Sequence, residues 1–191
     1  MANIPKKLVI GFDMDGVIIN NYKNKISLAK KFGFDLKLED TPAERFHAVV
    51  PEVILNQMRP LLYDDPETAL KAETVQGAID GLRRVRESGI PYFLISRRRN
   101  WAMAVRSLEH HDLWPRFFNQ KNAFFVFEPE DKDERAKALG INLYVDDQPT
   151  VLEKLVSVES RILFDQFGIF GKPNFPHKKV SSWGELLPNI F

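Results

Sequence analysis

Two carboxylates follow an apolar segment near the start of the chain, and their side chains could do chemistry. Residues 7–12 (KLVIGF) are followed at once by Asp13, Met14, Asp15 and Gly16. Such a pair either forms an acidic turn or supplies the nucleophile, proton carrier or metal ligand of a site. The rest of the chain decides between these two uses.

Other reactive side chains follow later apolar segments. Ser96 ends the segment 91–95, Asp146 and Asp147 end the segment 142–145, and Lys132 lies near the start of the intervening helical segment. In a parallel sheet, ligands bind outside the carboxyl ends of the strands. The sequence therefore predicts that these side chains meet Asp13 and Asp15 at one edge of a sheet.

The predicted group of side chains suits phosphoryl chemistry. Several carboxylates at one edge repel one another, and a hard divalent cation relieves that repulsion, with Mg²⁺ preferring oxygen ligands. The cation and Lys132 would neutralise a phosphoryl group, and Ser96 would hold one of its oxygens. One aspartate could then attack phosphorus while the other moves protons.

The elements that must position these residues alternate along the chain. Short apolar segments predict buried strands, and amphipathic segments between them predict helices. Such alternation is typical of an α/β fold with a doubly wound, Rossmann-like parallel sheet. The predicted strands are 7–12, 91–95, 123–127, 142–145 and 161–164, and the predicted helices of this part are 74–88, 99–111, 131–139, 149–156 and 183–187.

One stretch breaks the alternation. Residues 20–73 lack a convincing strand and carry helical patterns at 24–32, 42–50 and 52–58. Their apolar content is too high for a disordered loop, and a loop of that length inside a domain would be unusual. We expect a small helical cap insertion at 20–73 in a catalytic core formed by 1–19 and 74–191.

Composition narrows the classes of partner. The 191 residues hold 27 basic and 26 acidic side chains, so no overall field attracts a nucleic-acid polymer or an anionic membrane. The chain has no cysteine, which excludes disulfides and a thiolate nucleophile. No apolar run has the roughly 20 residues that span a bilayer. We expect a soluble, cytoplasmic protein that acts on a small phosphorylated substrate.

The ordered set of motifs resembles that of the haloacid dehalogenase-like (HAD) hydrolases. Residues 13–17 (DMDGV) are similar to the first signature, and Ser96 is similar to the second. Lys132, fourteen positions before Asp146, is similar to the third, and residues 143–147 (LYVDD) are similar to the fourth. A single D-x-D-G is a weak signal, whereas four signatures in this order over most of the chain are specific.

The resemblance implies a role for each acid. Asp13 would be the nucleophile that forms an aspartyl-phosphate, and Asp15 would protonate the leaving oxygen and then activate water. A carboxylate oxygen of Asp13, the backbone carbonyl of Asp15 and the second acid of the later pair, Asp147, would bind Mg²⁺. Asp146 would lie outside the metal ligands or bind the ion through water. The insertion would close over the substrate.

The phosphoryl group would be bound by Ser96 and Lys132, with two choices left open. Lys137 is a second lysine in the same charged segment, although Lys132 is favoured because it lies at the start of the helix. Arg97 is the preferred substrate contact among three consecutive arginines at 97–99. A solvated helix start is the alternative interpretation of these arginines.

Within the superfamily, the sequence is most similar to the small 5'-nucleotidase-type members. The DMDGV start, the size of the insertion, the Asp-Asp-Gln-Pro turn at 146–149 and the tail at 180–187 carry this likeness. The sequence departs from it after Ser96, since Arg97 and Arg98 stand where deoxyribonucleotidases have a small residue. Nucleotide specificity is therefore open.

Three other functions compete with hydrolysis. A phosphotransferase would use the same residues with a different acceptor, and a binding protein would keep the fold without turnover. A response-regulator-type phosphoacceptor would need an aspartate at the end of the third strand, where residues 125–129 (FVFEP) have none.

Overall fold

The apolar segments form parallel strands, and helices connect them. The computed structural model describes residues 7–171 and 174–191. Its strands are β1 (Ile10–Phe12), β2 (Ile19–Asn20), β3 (Glu73–Thr74), β4 (Tyr92–Ser96), β5 (Ala123–Phe125), β6 (Leu143–Asp146), β7 (Ser160–Phe164) and β8 (Lys178–Val180). Its helices are α1 (Tyr22–Lys31), α2 (Ala43–Val49), α3 (Glu52–Tyr63), α4 (Pro66–Ala69), α5 (Ala78–Glu87), α6 (Trp101–His110), α7 (Pro129–Ala138), α8 (Pro149–Lys154) and α9 (Trp183–Leu186). None of the helices in these two ranges is long and apolar enough to cross a membrane.

Strand β1 lies inside the main sheet, where it has a neighbour on each side. The sheet has the order β5-β4-β1-β6-β7-β8, and its strands are parallel. Phe12 of β1 is level with Leu94 of β4 and Val145 of β6. The residues that follow these strands therefore reach the same edge. The predicted doubly wound α/β fold is confirmed.

Two apolar clusters cover the two faces of the sheet. Ile10 and Phe12 belong to the cluster under α5, α6 and α9, whereas Ile95 and Tyr144 belong to the cluster under α7 and α8. This division follows the alternation of side chains along a strand. Position 11, between Ile10 and Phe12, requires glycine, because a Cβ atom there would overlap the ring of Tyr144.

The C-terminal segment supports the loop that follows β1. Trp183 is buried, and its Nε1 donates a hydrogen bond of 2.8 Å to the backbone carbonyl of Val17. Its ring packs 5.4 Å from that of Phe12, and Gly81 of α5 leaves room for it. The last helix therefore holds both β1 and the turn that follows it.

Strand β8 was not predicted from the sequence. Lys178 and Lys179 are exposed and only Val180 is buried, so the segment lacks an apolar run. The strand is nevertheless paired with β7 at the edge of the sheet. Charged side chains on an edge strand discourage association with a further strand.

Residues 20–73 have an apolar cluster of their own. Its buried members are Leu28, Ala29, Leu36, Phe46, Val50, Leu55, Met58 and Leu62. The insertion begins and ends at a short antiparallel pair, in which Ile19 faces Thr74 and Asn20 faces Glu73. The prediction of a helix from residue 74 was therefore wrong at its start, because α5 begins at Ala78. We propose that the β2–β3 pair separates the core from the cap insertion.

Helix α3 is longer than the sequence predicted. It continues through Pro60 to Tyr63, beyond the predicted end at residue 58. The apolar side of the helix overrides the proline, since both Met58 and Leu62 are buried in the cluster of the insertion. Asp65 caps the next helix by accepting a hydrogen bond from the Thr68 amide, and Pro66 follows it at the first helical position.

Candidate active site

The first two acids lie in a tight turn at the carboxyl end of β1. The backbone amide of Asp13 donates a hydrogen bond to the backbone carbonyl of Val145 in β6. The backbone carbonyl of Met14 accepts hydrogen bonds from the amides of Ile18 and Ile19. Met14 is buried in the core, so it anchors the turn between the two carboxylates. Asp13 and Asp15 are therefore held on the outer side of the sheet edge by an apolar residue between them.

Lys132 joins the acids of two different strands. Its Nζ atom donates to Asp13 Oδ1 and to Asp146 Oδ2, both at 2.7 Å. All three side chains are buried, whereas Lys137 lies exposed on the same helix. Of the two candidate lysines, the structure places only Lys132 among the acids.

Burial makes the charges of this cluster costly. Desolvation raises the pKa of Asp13 to about 7, even though Lys132 favours its charged form. Desolvation and then Asp146 raise the pKa of Asp147 well above its usual range. For Lys132, burial opposes the charge, but Asp13 and Asp146 outweigh it and raise the pKa of the amine. The cluster is short of positive charge.

The acids have the arrangement of a cation site. Asp13, Asp146 and Asp147 each offer a carboxylate oxygen, and these oxygens lie within 4.8 Å of one another. The two carboxylate oxygens of Asp146 already accept hydrogen bonds from Lys132 and from the backbone amide of Gln148. By contrast, Oδ1 of Asp147 is buried without a partner among the described residues. Asp13 and Asp147 are therefore the better carboxylate ligands for a hard cation.

Gly16 makes room for Asp147. Its φ of +80° lies in the left-handed region, and a Cβ atom at this position would overlap the Asp147 carboxylate.

We expect Gly16→Ala to lower the free energy of unfolding by at least about 2 kcal/mol more than Gly33→Ala. Gly33 is the matched control, because it has a φ of +84° but open space around the missing Cβ. Urea unfolding of both variants measures the difference, and equal losses would show that only backbone strain matters.

Arg98 binds the second acid and the insertion together. Its Nε and Nη2 atoms donate to the two oxygens of Asp15, each at 2.7 Å. Its Nη1 donates to the carbonyl of Tyr63 at 3.3 Å, and its guanidinium carbon lies 4.2 Å from the centre of the Tyr63 ring. The side chain is only 7% exposed. Arg98 therefore connects Asp15 of the core with the end of α3.

The three arginines differ in their surroundings. Arg97, the predicted substrate contact, is exposed, and its Nη2 donates to Gln148 Oε1 at 2.9 Å. Arg98 is the buried one. Alternation along an extended segment would have paired it with Ser96 on one side of the chain, and that signal was available in the sequence.

A cleft of about 580 Å³ opens above the acids, between the sheet edge and the insertion. Ser96 is buried and lines the cleft, as do Lys132 and all three arginines. The predicted site residues thus meet at one place. Of the predicted phosphate-binding and substrate-binding residues, Ser96 and Lys132 are buried and Arg97 is exposed.

One known family matches almost the whole chain. The pattern of the family described as 5' nucleotidase, deoxy (pyrimidine), cytosolic type C protein matches residues 7–188. A search of curated proteins found no match.

Solved structures share the fold at low sequence identity. A HAD family hydrolase from Deinococcus radiodurans, solved with bound phosphate and sodium, is 15% identical with a TM-score of 0.62, over 97% of this chain and 96% of that one. A protein assigned as a phosphoglycolate phosphatase from Lactobacillus delbrueckii is 18% identical with a TM-score of 0.67, over 97% and 98%. A HAD-superfamily hydrolase from Ehrlichia chaffeensis is 12% identical with a TM-score of 0.58, over 98% of each chain.

The match to the family pattern covers almost the whole chain, and the solved structures confirm the fold that the motifs predicted. The chain therefore belongs to the 5' nucleotidase, deoxy (pyrimidine), cytosolic type C family, and it is a phosphatase of the haloacid dehalogenase-like superfamily.

Proposed function

We propose that the protein hydrolyses a small phosphomonoester through an aspartyl-phosphate at Asp13, with Mg²⁺ as its cation. The observation that carries the proposal is the Lys132 amine, which lies between Asp13 and Asp146 at 2.7 Å from each. A buried carboxylate that is held by a lysine next to two further acids is equipped to receive a phosphoryl group.

The residues divide the reaction into two steps. In the first, the Asp13 oxygen that is not bound by Lys132 attacks phosphorus, the ester P–O bond breaks, and Asp15 gives a proton to the departing alcohol. In the second, Asp15 takes a proton from water, whose oxygen attacks phosphorus and releases Asp13 and phosphate. Ser96 and Lys132 bind the phosphoryl oxygens in both steps.

The acids fit a magnesium ion, since Oδ1 of Asp147 is buried and has no partner among the described residues. Asp13, the backbone carbonyl of Asp15 and Asp147 would hold the ion, with Asp146 kept for Lys132. When bound, Mg²⁺ supplies positive charge that offsets the acids and the phosphoryl group.

The description of the family supports a proposal for the substrate and the location. Its description names a deoxynucleotidase of the cytosolic type, so we propose that 5'-nucleotides belong in the first set of substrates and that the enzyme acts in the cytoplasm. The relative from Lactobacillus delbrueckii is described as acting on phosphoglycolate, which extends the set to small phosphorylated acids.

Removal of the cation tests the proposal. We expect that the protein hydrolyses p-nitrophenyl phosphate with Mg²⁺, that EDTA abolishes the rate, and that added Mg²⁺ restores it. The wider panel holds the four deoxynucleoside 5'-monophosphates and phosphoglycolate, measured by release of phosphate. A rate that is unaffected by EDTA would refute the dependence on a divalent cation, and no release from any ester would refute the activity.

Arg98→Lys is expected to lower kcat by about tenfold or more. Lysine keeps the charge but cannot donate the two parallel bonds that orient the Asp15 carboxylate. The measurement is steady-state hydrolysis of p-nitrophenyl phosphate, with thermal unfolding of the same samples to exclude misfolding. Arg106→Lys is the control, because Arg106 is exposed on α6 and lies outside the cleft. An unchanged kcat in a folded Arg98→Lys protein would show that Arg98 does not position Asp15.

A further inference from the structure

The cleft is lined by positively charged side chains that do not pair with the acids at its floor. At the floor, Lys132 is held by Asp13 and Asp146, and Arg98 is held by Asp15. Both cations are therefore paired with acids of the proposed reaction. Positive side chains further out must therefore have another use.

Arg97 and Arg99 are those outer side chains. Both are exposed and line the cleft on either side of Arg98. Arg97 bonds to a neutral amide oxygen, that of Gln148. Within residues 7–171 and 174–191, neither arginine has an acidic partner within ion-pair distance.

The fold gains nothing from these two charges. They lie just before α6, whose first turn is already capped by the side chain of Asn100. Cations at the N-terminal end of a helix oppose its dipole and are slightly unfavourable. Stability therefore does not explain a pair of unpaired arginines at this place, whereas a bound anion would.

The insertion continues the positive region across the cleft. Arg59 and His47 line the opposite side, although Arg59 also pairs with Glu52 at 2.8 Å. Partial burial, followed by the charges of Arg59, Lys25 and Arg97, lowers the pKa of His47. Arg97 of the core and His47 of the insertion thus line the same cleft. The outer acids of the cleft, Asp64 and Glu128, form no ion pair with these cations.

We infer that the alcohol part of the substrate carries an anionic group of its own, a phosphate or a carboxylate, which Arg97 and Arg99 bind. The inference rests on the proposed function, since it assumes that the reacting phosphoryl group lies at Asp13. Among the proposed substrates it favours small phosphorylated acids over nucleoside monophosphates, whose alcohol part is neutral. A guanidinium group binds either anion through two parallel hydrogen bonds. A cleft of about 580 Å³ has room for both ends of a small substrate.

Three matched three-carbon esters test the inference. Propyl phosphate has a neutral alcohol part, 3-(phosphonooxy)propanoate adds a carboxylate, and propane-1,3-diyl bisphosphate adds a second phosphate. Initial rates are measured at constant ionic strength and constant free Mg²⁺. We expect kcat/KM for at least one charged ester to exceed that for propyl phosphate by about tenfold or more, and the better of the two identifies the anion.

Removal of the two arginines should remove the preference. In the double variant Arg97→Gln, Arg99→Gln the ratio of charged to neutral ester is expected to fall by about tenfold. Arg106→Gln removes an exposed arginine of α6 outside the cleft and should keep the wild-type ratio. The inference is overturned if the wild type has no preference or if the double variant retains it.

A binding measurement separates this inference from the proposed function. Hydrolysis of propyl phosphate without a charge preference would leave the phosphatase proposal intact and refute the second anion. If no ester is hydrolysed, the phosphatase proposal fails, and calorimetry with the Asp13→Asn protein still decides. At least one of the two charged esters is then expected to bind about tenfold more tightly than propyl phosphate, and the two arginine substitutions to abolish the difference. Equal affinities for all three esters would overturn the inference.

Discussion

Replacement of Asp13 by asparagine is expected to abolish hydrolysis, with a loss of at least about four orders of magnitude in kcat for p-nitrophenyl phosphate. An amide cannot form the acyl phosphate that the two-step reaction needs. The measurement is release of p-nitrophenolate with saturating Mg²⁺. Residual turnover close to that of the wild type would place the nucleophile elsewhere.

The same substitution should not destabilise the fold. Burial raises the pKa of Asp13 from 3.8 to about 7, so the folded state disfavours its charge. A carboxyl group with a raised pKa contributes its stability at low pH, and that contribution is lost as the pH rises through the folded-state value. At pH 8 in EDTA, Asp13→Asn is thus expected to unfold at the same temperature as the wild type or higher. A marked fall in unfolding temperature would mean that the lost activity reflects misfolding.

Lys132→Met is expected to damage both activity and stability. Lys132 is the cation that separates Asp13 from Asp146, and its loss leaves buried carboxylates without compensation. Removal of one partner from a buried ion pair typically costs about 3–5 kcal/mol. Urea unfolding in EDTA measures that loss, and hydrolysis assays with Mg²⁺ should show kcat/KM lower by about 100-fold or more, since the phosphoryl group loses a charged partner.

Lys137→Met is the matched control for this variant. Lys137 lies on the same helix and is exposed, so its removal is expected to change the free energy of unfolding by no more than about 0.5 kcal/mol. Its catalytic constants should be those of the wild type. If Lys137→Met proved as harmful as Lys132→Met, the cluster that the structure shows would not be the active one.

The site residues whose positions depend only on strand direction could be predicted from the sequence. Asp13, Ser96 and Asp146 each follow an apolar run, and parallel strands bring such positions to one edge whatever the distance between them in the chain. The helix start that carries Lys132 followed from the same alternation. For these residues, the periodicity of the sequence contains enough information.

Features that depend on tertiary partners could not be predicted in this way. The contact of Arg98 with Tyr63 depends on how the insertion lies over the core, which no local pattern encodes. The β2–β3 pair has two residues in each strand, too few for a period to be recognised. Helix α3 continues through Pro60 because its apolar side packs in the insertion, which outweighs a local signal to stop.

The position of β1 determines when, during synthesis, the turn that carries Asp13 and Asp15 gains its support. The first strand has β4 on one side and β6 on the other, while Trp183 near the chain end holds the turn beside Asp13. A nascent chain therefore carries Asp13 and Asp15 before it contains β4, β6 and Trp183, which support their turn. Contacts between residues that are this far apart in the chain favour slow folding. The proposed activity should accordingly appear only after the segment that contains Trp183 has been synthesised and has folded onto β1.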